Sequence, residues 1–273
     1  MPRSARFAAF LVGAAFLMPA VALADTQISA AGSTALQPLV QAAAEAYQAQ
    51  HSDVKISVTG GGSRTGLGLV ASKAVDIGDS DVLAPAGSDS LVDHKVAVIG
   101  FAVIVNPATG VTALSKKQLQ DIFSGKVTNW KDVGGKDLGI TVINRPVSSG
   151  TRAVFIKTIM GTVPLSNTTQ IEDATGTVVQ KVIQTAGAVS YAAFSGTHGK
   201  TGIVEVAIDG AKPADDDVES GKYPFWSYEH MYTNGPPTTP VSRFLAFVQS
   251  NSTLMQQTGY ILVRDMKVAE NDR

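Results

Sequence analysis

Three short segments of this sequence combine glycine with the hydroxyl side chains of serine and threonine at the start of a predicted helix. They are residues 32–35 (GSTA), 62–65 (GSRT) and 148–152 (SSGTR). The first turn of a helix leaves backbone N–H groups without intrahelical acceptors and carries a partial positive charge. Glycine lets an anion approach the backbone closely, and the hydroxyls supply further donors. One such segment is usually only a helix N-cap. Three in one chain predict a shared anion-binding site.

Two charged residues give this predicted site its sign and its selectivity. Arg145 follows a predicted strand and precedes Ser149 by four positions. Its planar guanidinium can hold a tetrahedral oxyanion through two parallel hydrogen bonds. Asp81 follows another predicted strand, and its carboxylate accepts a hydrogen bond that only a protonated anion can donate. From the pattern alone, a surface ion pair explains Arg145 equally well, and a turn or helix cap explains Asp81 better.

The elements that must position these segments alternate between β-branched strands and amphipathic helices, which indicates an α/β fold. Strands are predicted over residues 27–29, 54–58, 75–77, 95–105, 140–144, 188–191 and 202–208. Helices are predicted from about residue 34–37 to 47 and over residues 65–72, 118–123, 150–160, 177–184 and 238–250. The segment 95–105 is nearly all apolar, so we expect it to be buried on both faces of a sheet. Residues 215–221 are acidic and predict a surface loop.

The N-terminus has the pattern of a secretory signal peptide. Arg3 and Arg6 precede an apolar run over residues 7–20, and residues 22–24 (ALA) form a small-residue cleavage signature. We expect cleavage after Ala24, because the apolar run is short for a membrane-spanning anchor. The sequence contains no cysteine. We therefore expect neither a disulfide nor a lipid anchor. These features favour export to the periplasm.

Composition argues against several other function classes. The 273 residues are 44% hydrophobic and 16% charged, which is typical of a globular protein with one large or two modest domains. A formal net charge of −1 gives no electrostatic reason to expect nucleic acid as a partner. The four histidines show no metal-ligand spacing. We therefore expect no metal and no cofactor.

Eight stretches, in family order along nearly the whole mature chain, resemble the phosphate-binding receptors of bacterial ABC phosphate importers. These receptors have the type II periplasmic binding protein fold. The stretches are residues 30–39, 58–67, 75–84, 91–106, 119–130, 142–155, 187–191 and 226–233. The most diagnostic part is IFSGKVTNW, residues 122–130.

The resemblance implies a set of phosphate contacts, carried over position by position. They are Thr34, Ala35, Ser63, Asp81, Arg145, Ser149, Gly150 and Thr151. Ala35 lacks the hydroxyl that many relatives have there, so it offers only its backbone N–H. Arg64 stands where many relatives have a small residue, and it either points into solvent or adds a second cation near the anion.

The resemblance also implies two α/β lobes, each with a mixed, mostly parallel sheet flanked by helices, joined by two hinge crossings. Residues 25–105 and 201–265 would form lobe one, residues 106–200 lobe two, and residues 266–273 a C-terminal tail. The anion would lie between the lobes at the carboxyl ends of strands. The implied partners are inorganic phosphate and the membrane permease subunits of an ABC phosphate importer. The implied state is a monomer that is not an enzyme and binds no nucleic acid.

Three alternatives stay open on the sequence. The chain could be a receptor for another oxyanion, such as sulfate or molybdate. It could be a periplasmic hydrolase with Ser149 as its nucleophile, although no histidine lies near that serine in sequence to act as the base. It could also serve a surface or adhesion role that reuses the same fold.

Overall fold

Strands and helices alternate along the chain in the computed structural model, which describes residues 26–167 and 169–268. The strands are β1 (Thr26–Gly32), β2 (Val54–Thr59), β3 (Ile77–Ser80), β4 (Leu91–Val105), β5 (Ala113–Leu114), β6 (Thr141–Asn144), β7 (Gln170–Ile171), β8 (Ala188–Ala193), β9 (Val204–Ile208) and β10 (Trp226–Asn234). The helices are α1 (Gln37–Gln50), α2 (Ser63–Ala71), α3 (Lys116–Phe123), α4 (Gly150–Phe155), α5 (Thr175–Gln184), α6 (Phe194–Thr197), α7 (Asp215–Glu219), α8 (Thr239–Ser250) and α9 (Ser252–Gln257). A π-helical turn, Ile156–Met160, continues α4.

The long strand β4 joins two groups of strands. Its residues 91–100 pair antiparallel with β10, and its residues 101–105 pair antiparallel with β8. The resulting strand order is β2-β1-β3-β10-β4-β8-β6-β7. Parallel pairs at both ends of this order, β1 with β2 and β6 with β8, make the sheet mixed.

The apolar sequence of β4 explains its central position. Residues 96–105 are all buried, as the nearly continuous apolar run predicts. The strand begins earlier than expected, at Leu91, because its more polar first residues still pair with β10. The core therefore runs through the strand that links the two groups.

Helix α1 begins where proline permits it. Pro38 lies in its first turn, where a missing N–H breaks no intrahelical bond. The side chains that recur at helical spacing on its buried face are Leu39, Val40, Ala43, Ala44 and Tyr47. This packing holds residues 33–36 in the turn between β1 and α1, at the carboxyl end of β1.

Strand β10 is the longest strand that the sequence pattern does not predict. Its nine residues, WSYEHMYTN, show no alternation of polar and apolar side chains, yet all except Asn234 are buried. The strand lies between β3 and β4 and is antiparallel to both. The polar residues of β10 are buried because the strand is paired with a neighbour on each of its two edges.

One further segment differs from the sequence interpretation, and the pairing of another bears on the predicted lobes. Residues 215–219 form the short helix α7 rather than a loop, with three aspartates in the first turn, where the helix dipole favours negative charge. Strand β9 pairs with residues 103–105 of β4 and with β5. It therefore pairs with strands on both sides of the predicted lobe boundary at residue 105, and the lobe boundaries stay a prediction.

No helix within residues 26–167 and 169–268 is both long enough and apolar enough to cross a membrane. The predicted signal peptide, residues 1–24, lies outside the described residues, as do the last five residues of the predicted tail.

Candidate anion-binding site

The three Ser/Thr/Gly segments meet in the fold. The backbone N–H of Gly62 donates to the carbonyl of Gly32 at 2.8 Å, and that of Arg64 donates to the carbonyl of Ser148 at 3.0 Å. The approach is so close that a Cβ on Gly62 would lie 2.6 Å from the Ser148 carbonyl oxygen. The start of α2 is thus held against the loops that precede α1 and α4.

Arg145 lies among these segments and is 1% exposed. Its Nη2 donates to Thr34 Oγ1 at 3.0 Å and to the Asp173 carbonyl at 2.9 Å. Its Nε and Nη1 are buried and have no hydrogen-bond partner among the described residues. Burial lowers the pKa of Arg145, and the nearby Tyr191 and Asp81 oppose that shift. The N–H groups of Nε and Nη1 of this buried cation are therefore available to an anion.

Asp81 follows β3 and receives hydrogen bonds on both carboxylate oxygens. Ser33 Oγ donates to Oδ1, and Thr151 Oγ1 donates to Oδ2 at 2.9 Å. Burial raises the pKa of Asp81, while the hydroxyls of Ser33, Thr151 and Ser63 and the charge of Arg145 lower it. These donors favour the charged form of a carboxyl group that burial alone would neutralise.

The start of α4 packs tightly against Ser63 and Asp81. Ser149 caps the helix, since its Oγ accepts from the Arg152 N–H at 3.2 Å, and its hydroxyl hydrogen can still donate elsewhere. A Cβ on Gly150 would lie 2.1 Å from Ser63 Oγ and 2.9 Å from the Asp81 Cβ. Ser63 Oγ also accepts from the Asp81 N–H at 2.9 Å. Only glycine fits at position 150 with this packing.

Two residues expected at the site are placed differently from the rest. The N–H of Ala35 donates to Ser33 Oγ at 3.0 Å, so the group expected to reach an anion already has an acceptor. The side chain of Arg64 is exposed. The structure therefore brings together Thr34, Ser63, Asp81, Arg145, Ser149, Gly150 and Thr151, with Ala35 beneath them and Arg64 turned outward.

Sequence reasoning missed several residues around this site. Ser33 lies in the first glycine-containing segment and could have been chosen with Thr34. Thr175 opens α5, and its hydroxyl lies 3.4 Å from that of Thr34. Glu229 of β10 is fully buried, and burial, followed by the charge of Asp81, raises its pKa. Residues 226–233 belong to the stretches that resemble the family, but nothing in their sequence shows that β10 lies next to β3.

The arrangement offers donors for an anion rather than a nucleophile. Thr34, Arg145 and the start of α4 present hydroxyl and N–H groups, while Asp81 provides an acceptor. Within the described residues, the hydrogen bond made by Ser149 Oγ is the helix cap, and no histidine or carboxylate pairs with it. This is the pattern of a binding site for a protonated oxyanion.

Comparison with known proteins agrees with this geometry. The model of the PBP superfamily domain matches residues 19–252. The phosphate-binding protein PstS of Bacillus subtilis (strain 168) is 45% identical over 257 residues, which cover 91% of this chain and 84% of that relative. The chain belongs to the phosphate-binding PstS family of the PBP superfamily.

Solved structures of similar proteins share the fold of this PstS family member. A Clostridium perfringens chain with bound phosphate is 26% identical and superposes with a TM-score of 0.82, covering 87% of this chain and 100% of that one. An ABC-type phosphate transport receptor from Vibrio cholerae is 27% identical, with a TM-score of 0.71 and coverage of 86% and 99%. The expected family and the expected two-lobed type II α/β fold are confirmed.

Proposed function

We propose that this chain binds inorganic phosphate between its two lobes and delivers it to the permease subunits of an ABC phosphate importer. We further propose that it acts as an exported monomer outside the cytoplasm, with the signal peptide removed after Ala24. The relatives are substrate-binding transport proteins rather than enzymes.

The observation that carries the proposal is the pair of unpartnered donors on Arg145. A buried cation with unsatisfied N–H groups is costly unless an anion completes its hydrogen bonds. Thr34 and Asp173 use only Nη2 and leave the N–H groups of Nε and Nη1 without an acceptor among the described residues. Each of these charge-assisted donors can bond an oxygen of a tetrahedral oxyanion.

Asp81 favours phosphate among the tetrahedral oxyanions. Near neutral pH phosphate keeps at least one proton, whereas sulfate keeps none. The Asp81 carboxylate can only accept hydrogen bonds when it is ionised. Phosphate can donate to it, while sulfate would place an oxygen lone pair against a buried acceptor. We propose that this repulsion excludes sulfate from the site.

The proposed ligands are Thr34, Ser63, Asp81, Arg145, Ser149, Gly150 and Thr151, with the N–H of Ala35 released from Ser33 when phosphate is bound. The two lobes would be the strand groups on either side of the junction in β4, between residues 100 and 101. In this assignment β9 belongs to lobe two, because its partners are the end of β4 and β5.

Calorimetric titration of ligand-stripped protein with phosphate, sulfate, molybdate and arsenate tests the proposal. We expect one phosphate site per chain and no detectable sulfate or molybdate binding at matched concentrations. Phosphate at a hundredfold excess over its Kd should stabilise the fold by about 2.7 kcal/mol. Release of product from a phosphomonoester would instead support the hydrolase, and absence of any phosphate heat would exclude the proposed function.

A further inference from the structure

Three carboxyl groups are buried together behind the candidate site. Asp79 and Asp81 are 1% and 3% exposed, and Glu229 is 0% exposed. Strands β3 and β10 are antiparallel, with Asp79 opposite Met231 and Ser80 opposite His230. Continuing this register by one residue places Glu229 opposite Asp81. Side chains two apart share one face of a strand, so Asp79 lies on the same face as this facing pair.

The donors around these carboxyl groups are unevenly distributed. Asp81 receives hydrogen bonds from the hydroxyls of Ser33 and Thr151, and the charge of Arg145 acts on it. Neither carboxyl oxygen of Glu229 receives a hydrogen bond from a donor in residues 26–167 or 169–268. Two buried carboxyl groups in contact cannot both be ionised. The negative charge is more stable on Asp81, and the proton is more stable on Glu229.

The charges acting on Glu229 agree with this assignment. Burial, the charge of Asp81, the direct contact with Asp81 and the charge of Asp79 together raise the pKa of Glu229 well above its ordinary value. Burial, followed by the charge of Asp81, also raises the pKa of Asp79. The remaining titratable neighbour, Tyr260, donates its hydroxyl to the Ala35 carbonyl, so that proton is not available to Glu229.

We propose that Glu229 is a protonated carboxylic acid that donates a hydrogen bond to Asp81 and thereby keeps Asp81 ionised as the acceptor for the proton of the bound anion. The role assigned to Asp81 rests on the proposed function, and Glu229 is a positioning residue that does not touch the anion. A neutral donor behind a carboxylate lowers the pKa of that carboxylate. Glu229 would therefore extend selective phosphate binding toward acidic pH.

Infrared spectroscopy of the phosphate-free protein at neutral pH tests the protonation state directly. Comparison of wild type with Glu229→Gln should show loss of a carbonyl stretching band of a protonated carboxylic acid. The matched control is Glu45→Gln, at an exposed position on α1, which should lose a carboxylate band instead. If Glu229→Gln also loses only a carboxylate band, Glu229 is ionised and the proposal is wrong. This readout does not depend on phosphate binding, so it remains decisive even if the proposed function fails.

Phosphate affinity across pH tests the hydrogen bond to Asp81. Glutamine keeps a donor at this position, whereas leucine removes it. We expect Glu229→Gln to bind phosphate within about threefold of wild type, because it exchanges one neutral group for another. Glu229→Leu should weaken binding at pH 5.5 by about tenfold more than at pH 8, which corresponds to a shift of about one unit in the pKa of Asp81.

Two outcomes of this titration would overturn the proposal. Tighter binding by Glu229→Gln, about tenfold or more at pH 8, would mean that the substitution removed a negative charge near the anion. If phosphate affinity depends on pH in the same way for folded Glu229→Leu and wild type, Glu229 has no influence on Asp81. If Glu229→Leu does not fold, the infrared result and the Glu229→Gln affinity still decide the protonation state.

Discussion

The guanidinium of Arg145 donates a hydrogen bond to Thr34 Oγ1 at 3.0 Å and so joins two loops that lie 111 residues apart in sequence. Because the Thr34 oxygen accepts from this cation, its hydroxyl hydrogen can donate to another group. The same contact fixes the guanidinium plane and leaves Nε and Nη1 without a protein acceptor. The N–H groups of Nε and Nη1 therefore remain able to donate to an anion.

Replacing Arg145 with alanine should weaken phosphate binding by about 2–5 kcal/mol, the range measured when one partner of a buried charge pair is removed. Calorimetric titration of stripped protein measures the change. The matched control is Arg64→Ala, since Arg64 lies one residue beyond Ser63 and its side chain is exposed. The control should bind phosphate as the wild type does. If Arg145→Ala raises the Kd for phosphate by less than tenfold, Arg145 does not contact the anion.

The substitution Asp81→Asn should narrow the preference for phosphate over sulfate. A site built around a required donor can reject an analogue lacking it by about 10⁴–10⁵-fold. Asparagine can donate as well as accept, so it removes the repulsion against sulfate. Paired titrations with phosphate and sulfate at one ionic strength measure the ratio for each protein. An unchanged ratio in the variant would show that another group provides the selectivity.

The substitution Gly150→Ala should disturb the site through packing alone. Its Cβ would lie 2.1 Å from Ser63 Oγ, and relief of such overlap typically costs about 1–3 kcal/mol. The matched control is Gly176→Ala in the first turn of α5, where a Cβ meets nothing within 4 Å. Thermal unfolding and phosphate titration should both report a loss for Gly150→Ala and none for the control. Equal behaviour of the two variants would contradict the close packing of α4 against Ser63.

Substitution of Asp79 by asparagine should change the dependence of stability on pH. Burial raises the pKa of Asp79 in the folded state, so folded protein keeps this proton at pH values where unfolded protein releases it. Stability is therefore lost as pH rises above about 3.9, the unfolded value, by up to about 1.4 kcal/mol per pH unit until the folded group also ionises.

The amide introduced by Asp79→Asn cannot titrate, so the stability of this variant relative to wild type should increase with pH. Denaturant unfolding at several pH values from acidic to slightly alkaline measures this difference, with the exposed residue Asp132 changed to asparagine as the control. A constant difference between Asp79→Asn and wild type would show that Asp79 is ionised in the folded protein throughout this range.

Much of the candidate site could be predicted from the sequence because its members follow strands. Thr34 and Ser63 follow the parallel strands β1 and β2, which bring them to one edge of a sheet. Arg145 follows β6, in the other group of strands. Asp81 can be predicted as a member of the site in the same way, because it directly follows β3, which pairs parallel with β1. The resemblance to a known family then selected these positions from other serines and threonines with the same local pattern.

Glu229 could not be predicted in this way. Its position beside Asp81 depends on the pairing of β3 with β10, two strands that are far apart in the chain. No local periodicity in β10 indicates a buried strand, since its polar and aromatic residues are mixed. The position of β9 is likewise a property of tertiary pairing, because its own sequence suits either group of strands.

A crystal structure of the protein with phosphate tests the central claim most directly. We predict one phosphate ion with an oxygen at about 2.7–3.2 Å from Arg145 Nε or Nη1, and a further oxygen in hydrogen-bond contact with the Asp81 carboxylate. Phosphate bound elsewhere, with Nε and Nη1 of Arg145 satisfied by protein groups, would contradict the account.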